Sequence, residues 1–310
     1  MTKSIAQGKG FAYGSLVFVI LLWGIAPFIY LYYFDYYSPA IMISFTALIS
    51  AVALLLFSLR DLGKLNATYF KVAIPTAFFY AAANILQKIG LQFTTPTRYS
   101  FLENLSCVIV PVLLFFFIGK QPRFLTILAS LLCLVSTFIL NGVASDLGAA
   151  FGIGEILCAL AGIFYGVNIA ATGTFAKKLH APLSLMIQMF AEAVISFVAA
   201  IIFSRVLING EPMEPIRFSF AFWPLAGRII TTLIFSTLCW VLRTNAMKTV
   251  DPAAVAIMMP FSSVVTTVIS ICVGTDTLSG SLVFGVILGL IAIILSGLGD
   301  KINIQKSKKQ

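Results

Sequence analysis

Charged residues make up only 10% of this 310-residue chain, and histidine occurs once, at His180. Soluble domains carry about 25% charged residues, so an ordinary water-soluble fold is excluded. The five cysteines, Cys107, Cys133, Cys158, Cys239 and Cys272, form no Cys-x-x-Cys pair. That leaves neither a disulfide framework nor a zinc site. No Gly-x-x-x-x-Gly-Lys-Ser/Thr loop, nucleophile elbow or cluster of metal-ligand residue types occurs. ATP-driven pumping by the chain alone is therefore excluded, an enzyme is not expected, and no cofactor or metal is implied. Long polar stretches are missing too: the longest loop lies around Asn209 to Phe218.

What fills the chain instead is apolar sequence, 60% hydrophobic with a mean hydropathy of +1.04. The apolar runs are mostly about 20 residues long, enough to cross a hydrocarbon core of about 30 Å. Ten are predicted, over roughly 13–34, 38–59, 70–93, 97–118, 124–142, 153–175, 183–207, 220–244, 253–273 and 281–299. The first is too long for a signal peptide, and Gly24-Ile25-Ala26-Pro27 makes a poor cleavage site.

The net charge of +9 is distributed by side rather than by patch. With a cytoplasmic N-terminus, the inner face holds most basic residues, among them Lys3, Lys9, Arg60, Lys64, Lys71, Lys177, Lys178, Arg243 and Lys248. The outer face holds Arg98, Arg205 and Arg217. This is the positive-inside pattern, which predicts cytoplasmic termini for a multi-pass protein of the cell membrane. The basic tail, residues 301–310, then faces anionic lipid, and nucleic acid is not an expected partner.

The two halves repeat the same order of segments. Pro96 and Pro252 sit in matching turns (252 − 96 = 156), and Gly119 and Gly274 end matching runs (274 − 119 = 155). Five spans per half is odd, so the second copy enters the bilayer from the opposite side. The expected division is residues 1–145 as the first five-helix repeat and 146–300 as its inverted copy. Inverted repeats are a signature of secondary transporters, with the substrate site between the halves.

Short motifs carry a family resemblance. Leu22-Trp23-Gly24 opens the first repeat, and Leu242 to Val250 form a helix end running into a basic turn. Pro260 is followed by Val273-Gly274-Thr275-Asp276-Thr277-Leu278, and Gly285, Gly289 and Gly297 line the last span. In their order these features resemble the drug/metabolite transporter superfamily, EamA type. The first repeat departs from the pattern at Gln121, where an acidic residue is usual, and at Ser44-Phe45, where an arginine is common. The resemblance implies an all-α membrane fold of ten helices in two inverted repeats. It also implies that the third, fourth, eighth and ninth spans surround a central cavity, with the fifth and tenth at the periphery.

Ionisable side chains inside spans are the default functional candidates. Glu103, Glu192, Arg228 and Lys88 fall in the fourth, seventh, eighth and third spans, with Glu155 just inside the sixth. Structural alternatives stand beside each: Lys88 could snorkel outward, Glu155 could cap a helix, and Glu103 with Arg228 could form a structural ion pair. Glu103 and Glu192 are the proton-coupling candidates. Arg228 and Lys88 suit a carboxylate, and the two glutamates suit an ammonium. Asn84, Gln87, Asn104, Asn168 and Gln188 could equally be glue between helices; of these, Asn84 and Asn104 share spans with the charges and are expected to line the cavity.

The tyrosines Tyr30, Tyr32, Tyr33, Tyr36 and Tyr37 are expected to form an interfacial belt. Trp23, Tyr80, Tyr165 and Trp240 lie deeper, as core packing or as substrate walls. Pro111 and Pro260 are expected to interrupt paired spans as a gate or hinge. Gly285 and Gly289 form a G-x-x-x-G that could support a homodimer or internal packing. The expected function is proton-coupled export of an amino acid or related amino-carboxylate by alternating access. The alternatives are uptake or exchange of an organic cation, amine, nucleobase or S-adenosylmethionine-like metabolite, and a channel or structural membrane subunit.

Overall fold

A computed structural model describes residues 8–94, 104–119, 124–140, 152–175, 179–208, 211–273 and 280–307, together with 99, 102 and 121. Ten apolar helical segments follow one another. They are α1 (Lys9–Phe34), α2 (Pro39–Ser58), α3 (Ala67–Gln92), α4 (Ser106–Ile118) and α5 (Phe124–Leu140) in the first half. The second half holds α6 (Ile153–Phe175), α7 (Ala181–Phe203), α8 (Phe222–Ala246), α9 (Pro252–Met258 and Phe261–Val273) and α10 (Gly280–Ser307). Among the described residues, seven helices are long and apolar enough to cross a membrane, and three further apolar stretches are shorter. The chain is a multi-pass helical membrane protein. Helices suit lipid because each satisfies its own backbone hydrogen bonds there. Large apolar side chains such as Phe57, Phe116, Phe124 and Phe197 face outward, where lipid rather than water covers them.

Local chemistry marks the helix ends. Asn66 caps α3 by accepting the Thr68 N–H at 2.9 Å, and Asp251 caps α9 by accepting that of Ala253 at 3.0 Å, with Pro252 at the first helical position. Gly119 ends α4 at φ 62°, a left-handed conformation that suits glycine. Glu155, in the first turn of α6, accepts from Gly152 N–H at 2.9 Å and Thr94 Oγ1 at 2.5 Å. It is a structural cap, as one of its two readings held. A short β-hairpin, β1 (Leu207–Ile208) with β2 (Glu211–Pro212), begins the predicted long loop. That loop docks on the α1–α2 turn: Arg217 O accepts from Ser38 N–H at 3.0 Å, and Glu214 accepts from Ala40 N–H at 2.5 Å.

Packing follows one pattern. α2 lies along α7, α3 along α6, and α5 along α10, with further contacts of α3 with α7, α4 with α6, α1 with α9, α1 with α8 and α2 with α8. Exchanging the first five helices for the last five turns each of these pairs into itself or into another observed pair. α5 and α10 stay off to one side.

The G-x-x-x-G of α10 is occupied within this pair. Ser136 Oγ on α5 donates to Gly285 O at 2.7 Å, and a Cβ on Gly289 would lie 2.7 Å from Ser136 Oγ and 2.9 Å from Phe261. The two glycines therefore lie in a close internal contact between α10 and α5.

Candidate functional site

A cavity of about 130 Å³ lies among α1, α2, α3, α4, α6, α7, α8 and α9, with none from α5 or α10 among its described lining residues. Of the ten residues named as substrate contacts from the sequence, nine line it: Trp23, Tyr80, Asn84, Lys88, Asn104, Tyr165, Glu192, Arg228 and Trp240. Glu103 lies outside the described residues. The volume has room for on the order of ten waters, or for one small metabolite.

The α3 wall is a stripe at helical spacing. Tyr80, Asn84 and Lys88 recur every four residues and therefore share one face. Asn84 Nδ2 donates to Glu192 Oε1 at 2.9 Å, and Glu192 is only 2% exposed. Tyr165 Oη lies 2.8 Å from both Asn84 Oδ1 and Gln87 Oε1. Lys88 Nζ reaches Asn84 Oδ1 and Gln87 Oε1, each at 3.4 Å, and sits 4.2 Å from the centre of the Tyr30 ring. Lys88 is 5% exposed, so the snorkelling alternative fails. Its stem runs into the cavity rather than toward the interface.

Opposite, α8 changes its winding. Between two α-helical stretches, Phe222–Thr231 and Cys239–Ala246, residues Thr232–Leu238 form a π-helix. Arg228, Thr232, Ser236 and Trp240 all line the cavity at four-residue steps. At 3.6 residues per turn, those twelve residues would overshoot a common face by about 120°. The wider π turns absorb much of that overshoot, and π segments recur at functional sites for such reasons. Trp23 Nε1 donates to Phe235 O at 2.9 Å, so one carbonyl of the segment is taken up by α1.

Arg228 Nη2 donates to Thr46 Oγ1, and its guanidinium lies 5.2 Å from the Tyr33 ring and 5.9 Å from that of Tyr30. Tyr30 thus serves as cavity wall beneath two cations, and Tyr33 and Tyr37 are buried. The tyrosine belt holds for the exposed Tyr32 only in part, since that ring also packs on Tyr33 and Tyr36. The deep aromatics form a chain. Trp23 and Trp240 lie 5.5 Å apart, Trp240 and Tyr80 4.4 Å, and Tyr80 and Tyr165 6.1 Å.

Two sequence expectations need correction. Arg243 was placed on the inner face, yet it is 2% exposed and lines the cavity, stacked 4.4 Å from Trp240. Its last-turn position suggested an interfacial charge, but spacing three residues after Trp240 puts it on the same inward face. Pro111 lies inside continuous α4 and interrupts nothing. The break in that segment is the turn Asn104–Leu105, whose counterpart by the repeat is Met259–Pro260 (260 − 105 = 155), where α9 is interrupted. Asn104 Nδ2 donates to Ser263 Oγ at 3.1 Å and so ties the two breaks together. Elsewhere Asn168 Nδ2 donates to Thr76 O at 3.0 Å, which is helix glue.

A solved crystal structure of another protein superposes on this chain with a TM-score of 0.73 over 94% of this chain and 98% of the other. At 15% identity that likeness concerns the fold alone. No curated protein sequence matches. Residues 10–142, which include the Trp23-Gly24 opening, match the model of the EamA-like transporter family, so the first half of the chain is similar in sequence to that family.

Proposed function

We propose that the chain is a secondary transporter of an amino-carboxylate metabolite, working by alternating access between two inverted five-helix repeats, with Glu192 exchanging a proton for substrate. The carrying observation is the charge pattern of the cavity. Among its described lining residues, Lys88, Arg228 and Arg243 face a single carboxylate, Glu192. An acidic group on the substrate is complementary to these cations, and a guanidinium binds a carboxylate through paired donors. Glu192 supplies the one described anionic acceptor for an ammonium, and the aromatic chain walls the side chain. A purely cationic cargo would meet three like charges, which disfavours the organic-cation alternative. A carboxyl buried this deep within a span is also placed to carry a proton.

The test is thermal stability of the purified protein in detergent with three ligand sets: L-amino acids, the amines left by removing the carboxyl, and the acids left by removing the amino group. A ligand at about 100 times its Kd stabilises by roughly 2.7 kcal/mol. Stabilisation by at least one amino acid, lost in Arg228→Ala, is expected. Stabilisation by amines alone, or by no member of the three sets, overturns the reading.

A further inference from the structure

α3 and α8 occupy equivalent places in the two halves. A shift of 155 residues carries the start of α3, Ala67, onto the start of α8, Phe222, and the turn at Leu105 onto Pro260. Under the same shift Lys88 falls on Arg243 (243 − 88 = 155). The helices that face them correspond too, by a shorter shift of 142 residues. Trp23-Gly24 on α1 falls on Tyr165-Gly166 on α6 (166 − 24 = 142), and both glycines mark the same close approach. A Cβ on Gly24 would lie 2.4 Å from Val265 of α9, and one on Gly166 would lie 2.8 Å from Ile109 of α4.

The two cations share an environment but not a location. Both are buried, both line the cavity, and each lies over an aromatic ring. Lys88 sits 4.2 Å from the Tyr30 ring, and Arg243 lies 4.4 Å from Trp240 and 5.8 Å from Trp23. Tyr30 and Trp23 are seven residues apart on α1, about 10 Å along the helix axis. Lys88 therefore occupies the level of Arg228, which also reaches Tyr30, while Arg243 occupies a second level deeper along the same cavity.

We propose that Lys88 and Arg243 are a repeat-related pair of carboxylate subsites, one for each face of the membrane. The proposal rests on the amino-carboxylate reading above and adds where the acidic group is held in each state. When two inverted repeats exchange conformations, each half takes the role the other had. The half that opens its vestibule presents its own cation to the substrate's carboxylate, and the aromatic ring beneath keeps that cation in place. Transport passes the carboxylate from one level to the other, with Glu192 and Asn84 beside the Lys88 level.

The experiment measures initial rates of a radiolabelled L-amino-acid mixture in proteoliposomes of known orientation, from each face separately. Lys88→Gln should raise the apparent KM about tenfold from one face, the loss of one charge-assisted contact, and leave the other face within about twofold. Arg243→Gln should show the opposite sidedness. Lys88→Arg and Arg243→Lys keep the charge and should restore most of the affinity, which also keeps the test decisive where a Gln variant does not fold. Equal KM changes on both faces, or no change, overturn the paired subsites while leaving the transporter intact. A wild type that moves none of the mixture refutes the amino-carboxylate reading, and the pair with it.

Discussion

Asn84 holds the cavity's described carboxylate, so its removal should be felt twice. In Asn84→Ala, Glu192 loses the Nδ2 donor at 2.9 Å and Tyr165 loses an oxygen partner at 2.8 Å. A buried acceptor left without its donor costs about 1–3 kcal/mol, more when it is charged. For 310 residues, with about 2.1 cal/mol/K of unfolding entropy per residue, each kcal/mol moves the midpoint by about 1.5 °C, so Tm should fall by about 1.5–5 °C. The diagnostic quantity is the coupling in a double-mutant cycle with Glu192→Gln, followed by thermal unfolding in detergent. Neutral side-chain hydrogen bonds in membrane proteins couple by about 0.6 kcal/mol on average and about 1.7 at most. A coupling above that ceiling marks a charged Glu192, and one within it marks a neutral carboxyl. A coupling of zero, with Tm unchanged in Asn84→Ala, would show that the contact does not hold the carboxylate and would remove the structural basis for its proton role.

Two further outcomes follow from packing and from the loop. Gly24→Ala and Gly166→Ala should each destabilise by about 1–3 kcal/mol through overpacking, whereas Gly14→Ala, with nothing within 4 Å of its added Cβ, should be near neutral; equal Tm values for all three would contradict the close approach of α1 to α9 and α6 to α4. Glu214 is 1% exposed, and burial raises its pKa above the ordinary 4.5. The folded loop therefore favours the protonated group, and its stability, complete below the unfolded value, is lost as pH rises through the raised one. Protection of the 211–218 amides against hydrogen exchange, corrected for intrinsic exchange rates, should weaken from about pH 4.5 upward in the wild type. It should change less in Glu214→Gln, and identical pH profiles would refute the assignment.

Much of the architecture was legible because lipid imposes it. A span must be apolar over a fixed length, so the ten runs located the ten helices. The α3 stripe of Tyr80, Asn84 and Lys88 was legible for the same reason, since polar groups at helical spacing inside a span have one dry face to share. Arg243 was not, because charge counting by side treats every basic residue near a helix end as interfacial and cannot see which way its face turns. The π segment of α8 left one trace, a four-residue spacing sustained over three steps from Arg228 through Thr232 and Ser236 to Trp240. Pro111 misled because proline was taken as the break, while the chain turns at Asn104–Leu105, where no proline stands. The glycine pair of α10 had two readings in sequence, and its internal contact shows only once Ser136 is placed beside Gly285.

The account turns on Glu192 moving a proton in exchange for a carboxylate-bearing substrate bound near Arg228. Its most direct test is uptake of a radiolabelled L-amino-acid mixture into proteoliposomes with and without an imposed pH gradient, in wild type and Glu192→Gln. The account predicts accumulation driven by the gradient in the wild type, and exchange without gradient-driven accumulation in Glu192→Gln. Gradient-driven accumulation of equal extent in both proteins would contradict it.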